Sequence, residues 1–236
     1  MTIAHTEGGR SRPTAPAGDP TAKSNVSGEP TATSNVPGDR TMGLAHARPA
    51  LADAAWMPTA SGRRFTPLAP RVEDIDIVDI AHGLSNICRY GGHTLEFYSV
   101  AQHSVLVSEE LEGDPIDPAR CLWGLLHDAT EAYLGDVITP LKAVMPEYQA
   151  AEALLAVAIA AKFVLPWPMP SAVKVADLRI VADERRSLMA PRPEPGSEWG
   201  DILPGFGLEI EAWTPEQARE AFLARFKTLA SAYAGG

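Results

Sequence analysis

Trp123-Gly124-Leu125-Leu126-His127-Asp128-Ala129-Thr130-Glu131-Ala132-Tyr133-Leu134-Gly135-Asp136 places an imidazole, a carboxylate and, one turn later, a second carboxylate in an otherwise apolar run. The stretch reads as one helix, with Asp117 as N-cap and Pro118 at the first helical position, stopping near Gly135. Ionisable groups on its apolar face need partners, because burying an unpaired charge is costly. A divalent metal ion satisfies an imidazole and a carboxylate together. The offsets of Glu131, four from His127 and three from Asp128, put it on the same side of the helix as the pair.

Working outward, helical periodicity begins near residue 75 with the stripe Ile77, Ile80, Ala81, Leu84, Ile87 and Cys88, ending at Gly91-Gly92. A second helix follows Ser99 as N-cap and runs through His103 and Leu111 to Gly113. Downstream, helices are expected over 146–163 and from Ser171 to about Met189. A last one opens on Thr214-Pro215-Glu216-Gln217, a capping-box pattern with Pro at N1. Trp56 to Pro70 reads as a short hairpin or an extended arm, and the Pro- and Gly-rich 190–212 as a loop with room for a short strand. The fold class is therefore all-α with at most small β additions.

Residues 1–50 are rich in Pro, Thr, Ser, Gly and Ala and hold a ten-residue repeat, Thr21–Pro30 and Thr31–Arg40. Such composition buries too little apolar surface to offset chain entropy, so this is expected to be a disordered tail and 51–236 the folded domain. The net charge is -10; five basic against four acidic residues leave the tail at +1 and the remainder at -11. An acidic domain is poorly suited to gripping duplex nucleic acid, where neutralising phosphates dominates affinity. No apolar run is long enough for a membrane helix, no signal peptide is evident, and Cys88 and Cys121 form no disulfide framework. The expected location is cytoplasmic.

Two further residues complete a ligand set. His103 lies among apolar neighbours on the second helix, and Asp177 lies in Val173-Lys174-Val175-Ala176-Asp177-Leu178-Arg179 on a later one. A helix bundle can aim side chains from facing helices at one point. Taken singly, His103 reads as a core histidine and Asp177 as a solvated or capping carboxylate. Together, two imidazoles and two carboxylates suit Mn, Fe, Co, Ni or Zn. Four protein ligands on an ion that takes six leave room for water and a substrate oxygen.

The ordered set His103, His127-Asp128, Asp177 resembles the signature of the HD-domain metal-dependent phosphohydrolases. The run from His127-Asp128 through Glu131, Gly135-Asp136 and Thr139-Pro140-Leu141-Lys142 resembles their 5′-deoxynucleotidase-like branch, as do Asp79–Ser85, Arg89–Thr94 and Tyr98–Ser104. The resemblance covers roughly 56–190, leaving out the tail and the last helix. It implies an HD-domain helical bundle holding one divalent ion (Mn, Co, Fe, Ni, Zn or Mg) on His103, His127, Asp128 and Asp177. Glu131 matches the catalytic carboxylate, Asp136 the sugar-hydroxyl contact and Arg89 the phosphate contact; Lys142 is a further cation for the phosphoryl oxygens. Asp183 competes with Asp177 for the fourth ligand position, but sits in a more polar run. Outside the tail only His82 and His93 are spare, so a single-metal site is expected.

The implied activity is hydrolysis of a (deoxy)nucleoside 5′-monophosphate. A deoxynucleoside triphosphate triphosphohydrolase is the enzyme alternative, and a non-catalytic nucleotide-binding module the alternative of another class. Expected partners are a small nucleotide and, by analogy with relatives that are often dimers, a second copy of the chain; neither duplex nucleic acid nor a membrane is expected.

Overall fold

The computed structural model describes residues 55–113, 115–191 and 203–235. The expected tail, 1–50, lies outside them. The described chain is mostly helical, as expected. Its β structure is a hairpin of β1 (Met57–Pro58) and β2 (Arg64–Phe65), paired antiparallel, plus an isolated bridge between Cys88 and Ser99. The hairpin, and not the extended arm, is what residues 56–70 form.

Each helix begins where a local signal dictates. In α1 (Ile77–Asn86) the Asp76 side chain accepts from Val78 N; in α2 (Val100–Glu110) Ser99 accepts from Gln102 N; in α3 (Pro118–Leu126) Asp117 accepts from Arg120 N, with Pro118 at the first position. Short helices α4 (Glu131–Leu134) and α5 (Thr139–Lys142) lead to α6 (Pro146–Lys162) and α7 (Ser171–Leu188). α8 (Pro215–Gly235) opens with the capping box: Gln217 N donates to Thr214 Oγ1 at 3.3 Å and Thr214 N to Gln217 Oε1 at 2.9 Å.

Two elements depart from expectation. The helix read from Pro118 to Gly135 stops at Leu126, passes through a turn over 127–130, and restarts at Glu131. Within the turn Ala129 N bonds Leu126 O and Glu131 N bonds Asp128 O, the tighter three-residue spacing. His127 Nδ1 donates to Gly124 O at 2.7 Å, satisfying a carbonyl the continuing helix would have used. The first helix ends at Asn86, not Gly92; Arg89–Gly92 form a separate 3-10 turn with Tyr90 and Gly91 at positive φ. The described part of the 190–212 loop carries no strand.

The core joins Phe65, Ile80, Leu84, Tyr98, Leu125, Ile180 and Phe222, all fully buried. α8 packs on α1, α2 and α3, and α7 on α2 and α3, so the last helix, outside the stretch of resemblance, seals the bundle. Gly124 permits the closest approach: a Cβ there would meet Leu111 Cδ1 at 2.6 Å and Ser108 Cα at 3.0 Å. The hairpin is clamped to α1, where Ser61 N and Oγ each donate to the buried Asp79 carboxylate at 2.7 Å. Phe65 then stacks on Tyr133 with ring centroids 3.9 Å apart, fixing the helix that starts at Glu131.

Candidate metal centre

α2, the turn after α3, and α7 each contribute to one point. His103 on α2 is wholly buried; His127 and Asp177 are 5% and 14% exposed at the side chain. Their ligand atoms all lie within 4.8 Å of one another. The two Nε2 atoms are 3.2 Å apart, and Asp177 Oδ1 is 3.3 Å from His103 Nε2 and 3.9 Å from His127 Nε2. Asp128 stands outside that mutually close set of three, yet its Oδ2 is 3.1 Å from His127 Nε2 and 3.6 Å from His103 Nε2. Two donors about 2.1 Å from one ion, at right or tetrahedral angles, lie roughly 3.0–3.4 Å apart. The separations of 3.1, 3.2 and 3.3 Å fit that spacing, while those of 3.6 and 3.9 Å are wider.

The outer edges of the rings fix their chemistry. His103 Nδ1 meets Glu184 Oε1 at 2.6 Å, and His127 Nδ1 meets the Gly124 carbonyl. Both partners are acceptors, so both Nδ1 atoms donate, and each Nε2 faces the other ring and two carboxylates. Four donor atoms converge where a shared proton or a metal cation can join them. The group His103–His127–Asp177 can therefore bind a metal ion. His82 and His93 are exposed and outside the cluster.

Without a metal ion, a proton on His103 takes that role. Burial and Arg89 oppose charging His103, yet Glu184 and Asp177 push its pKa up to about 9. Burial works against ionising Asp128 and Asp177, but the histidines hold both well below the usual carboxylate range.

The cluster opens on a cavity of about 530 Å³, lined among others by Arg89, Tyr90, Asp128, Glu131, Asp136, Lys142, Lys174 and Asp177. Glu131 is 5% exposed, and burial, then Asp128 and Asp136, raise its carboxyl to about 10. Lys142 Nζ stands 3.9 Å from Glu131 Oε1 and 2.7 Å from Glu152. Asp136 is raised by burial. Arg89 Nη1 reaches Asp128 at 3.5 Å and its Nη2 reaches Glu184 at 3.3 Å. Arg89 Nε and Glu131 Oε2 are buried without a hydrogen-bond partner, two polar atoms on the wall of one cavity. All eight expected site residues thus meet here.

Asp183 is elsewhere in function. Fully buried, it accepts from Phe206 N at 2.6 Å, Gly207 N at 3.1 Å and Arg186 at 2.9 Å, holding the 205–207 loop to α7. Sequence reading missed Glu184, Tyr98 and Lys174. Glu184 carried a signal: it follows Asp177 by seven residues, two helical turns on the same face. Lys174 Nζ donates to Asp177 Oδ2 at 2.6 Å, leaving Oδ1 for the cluster.

No family model matches the chain. It is 39% identical over 179 residues, covering 74% of this chain and 96% of the other, to the uncharacterized protein YfdR of Escherichia coli (strain K12). It is 37% identical over 193 residues, 77% of this chain and 98% of the other, to an uncharacterized protein of Rhodobacter capsulatus.

Proposed function

The chain belongs to the family that includes YfdR of Escherichia coli, and on the geometry of its own donor cluster we propose that it is a metal-dependent phosphohydrolase of nucleotides, acting on a (deoxy)nucleoside 5′-monophosphate. The observation that carries this reading is the pair of Nε2 atoms 3.2 Å apart, both Nδ1 edges donating outward, facing Asp177 and Asp128 at the floor of an open cavity. His103, His127, Asp128 and Asp177 would hold one divalent ion, which supplies polarisation of a phosphoryl oxygen and activation of water.

The chain's own residues do the rest. Glu131 sits dry on the cavity wall with one oxygen unpartnered. Beside a bound divalent ion, whose charge would favour its ionised form, this carboxyl could take a proton from water and return it to the leaving ester oxygen. Arg89 is tied down at Nη1 and Nη2, so its guanidinium is already oriented to offset charge on phosphoryl oxygens, where positioning and electrostatics carry most of the catalysis. Lys142 adds a second cation beside Glu131. Asp136, on the same wall, accepts a hydrogen bond from a sugar hydroxyl.

The test is turnover of a nucleotide panel by metal-free chain reconstituted separately with Mn, Co, Zn and Mg. Metal-dependent release of inorganic phosphate is expected, abolished in Asp128→Ala. Release of triphosphate from a dNTP would assign the triphosphohydrolase reaction instead, and nucleotide binding without turnover the non-catalytic module.

A further inference from the structure

Glu184 is fully buried and has no part in the chemistry above. Its two oxygens serve different groups. Oε1 accepts from His103 Nδ1 at 2.6 Å and from the Tyr98 hydroxyl at 2.9 Å. Oε2 accepts from Arg89 Nη2 at 3.3 Å and from the Tyr90 hydroxyl. All four partners donate, so the position requires an acceptor-only side chain. Tyr90 is held at φ 55, a conformation uncommon for a bulky residue, and its hydroxyl is tied to this carboxylate. One buried group therefore touches both a ligand imidazole and the cation of the cavity wall.

We propose that Glu184 is a positioning residue with two simultaneous tasks: through Oε1 it fixes the tautomer and orientation of His103, and through Oε2 it aims Arg89 into the cavity. The inference rests on the reading of the cluster as a metal site. With Nδ1–H held by Oε1, His103 keeps its Nε2 lone pair for the cluster. Partners of this kind typically change metal affinity 10- to 100-fold when lost. Glutamine has the same shape, but whichever way its amide turns, the NH2 faces a group that can only donate, either His103 Nδ1–H or Arg89. The charged Arg89 bond is the stronger, so the carbonyl turns to Arg89 and the NH2 displaces His103 from its ligand tautomer.

Calorimetric titration of the metal-free full-length chain with Co²⁺, then of the Co²⁺-saturated chain with inorganic phosphate, tests this. Wild type is expected to bind one Co²⁺. Glu184→Gln should weaken Co²⁺ binding by about tenfold or more. It should also weaken phosphate binding, because a neutral carbonyl replaces the charge that holds Arg89, with no further loss once Arg89→Ala is present. Tyr98→Phe, which touches only Oε1, should lower Co²⁺ affinity and leave phosphate affinity alone; it carries the test should the glutamine variant fail to fold. A purely structural Glu184 would lower the melting temperature of the variants while leaving their Co²⁺ dissociation constants at the wild-type value, and that result overturns the proposal. Failure of the wild type to bind Co²⁺ overturns the metal-site reading itself, and this inference with it.

Discussion

Two aspartates six residues apart on α7 do different work, and charge alone does not separate them. Asp177 turns Oδ1 to the histidines, while Asp183 caps the backbone of a loop. Asp177→Asn is therefore expected to weaken metal binding. Asp183→Asn should leave metal binding unchanged while costing about 1–3 kcal/mol of stability through an unsatisfied buried bond. Calorimetry paired with thermal melting distinguishes the two. Glu131 offers a pH test. Its folded-state carboxyl is raised to about 10 from 4.5, so its contribution to stability is complete below the unfolded value and is lost as pH climbs toward the folded one. In EDTA, Glu131→Gln should melt above wild type near pH ~8 and converge with it near pH ~4–5. Parallel melting curves across that range would count against a buried, protonated Glu131.

Elements, not residues, bring the donors together. The break at 127–130 turns His127 and Asp128 toward α2 and α7 and starts a new helix at Glu131, so the two carboxylates of the opening run project from different elements into one cavity. The close approach of α2 to α3 at Gly124 keeps His103 and His127 within reach. Gly124→Ala should force the helices apart and destabilise by about 1–3 kcal/mol, with a larger Kd for metal; unchanged metal affinity would mean the helix spacing is not what sets the site. α8 adds no ligand, yet Phe222 fills the space among α1, α2 and α3. Phe222→Ala should cost roughly 3–5 kcal/mol in denaturant unfolding. A chain truncated before Pro215 should lose cooperative unfolding, because the faces of three helices would be bared.

For the whole molecule, four donor atoms converging in the bundle give the folded chain, and not the unfolded one, a place that could hold a divalent cation. Divalent ions should raise the melting temperature in a concentration-dependent way that EDTA reverses, since a ligand that binds only the folded state stabilises it by mass action; melting indifferent to every divalent ion would argue against the site. Among the described residues no helix is long and apolar enough to cross a membrane. The all-α class, the starts of α1, α2, α3 and α8 and the grouping of His103, His127 and Asp177 were legible in the sequence, because periodicity, N-caps and ligand types are local properties of the chain. Ser99, Asp117 and Thr214 announce helices through bonds to residues three places on. What only the tertiary structure decided were the break after Leu126, the separate turn that carries Arg89, the loop-capping role of Asp183 and the place of Glu184 behind His103. Each depends on partners distant in sequence. A buried carboxylate becomes a ligand, a cap or a brace according to which donors the folded chain brings to it, and no local pattern encodes those donors.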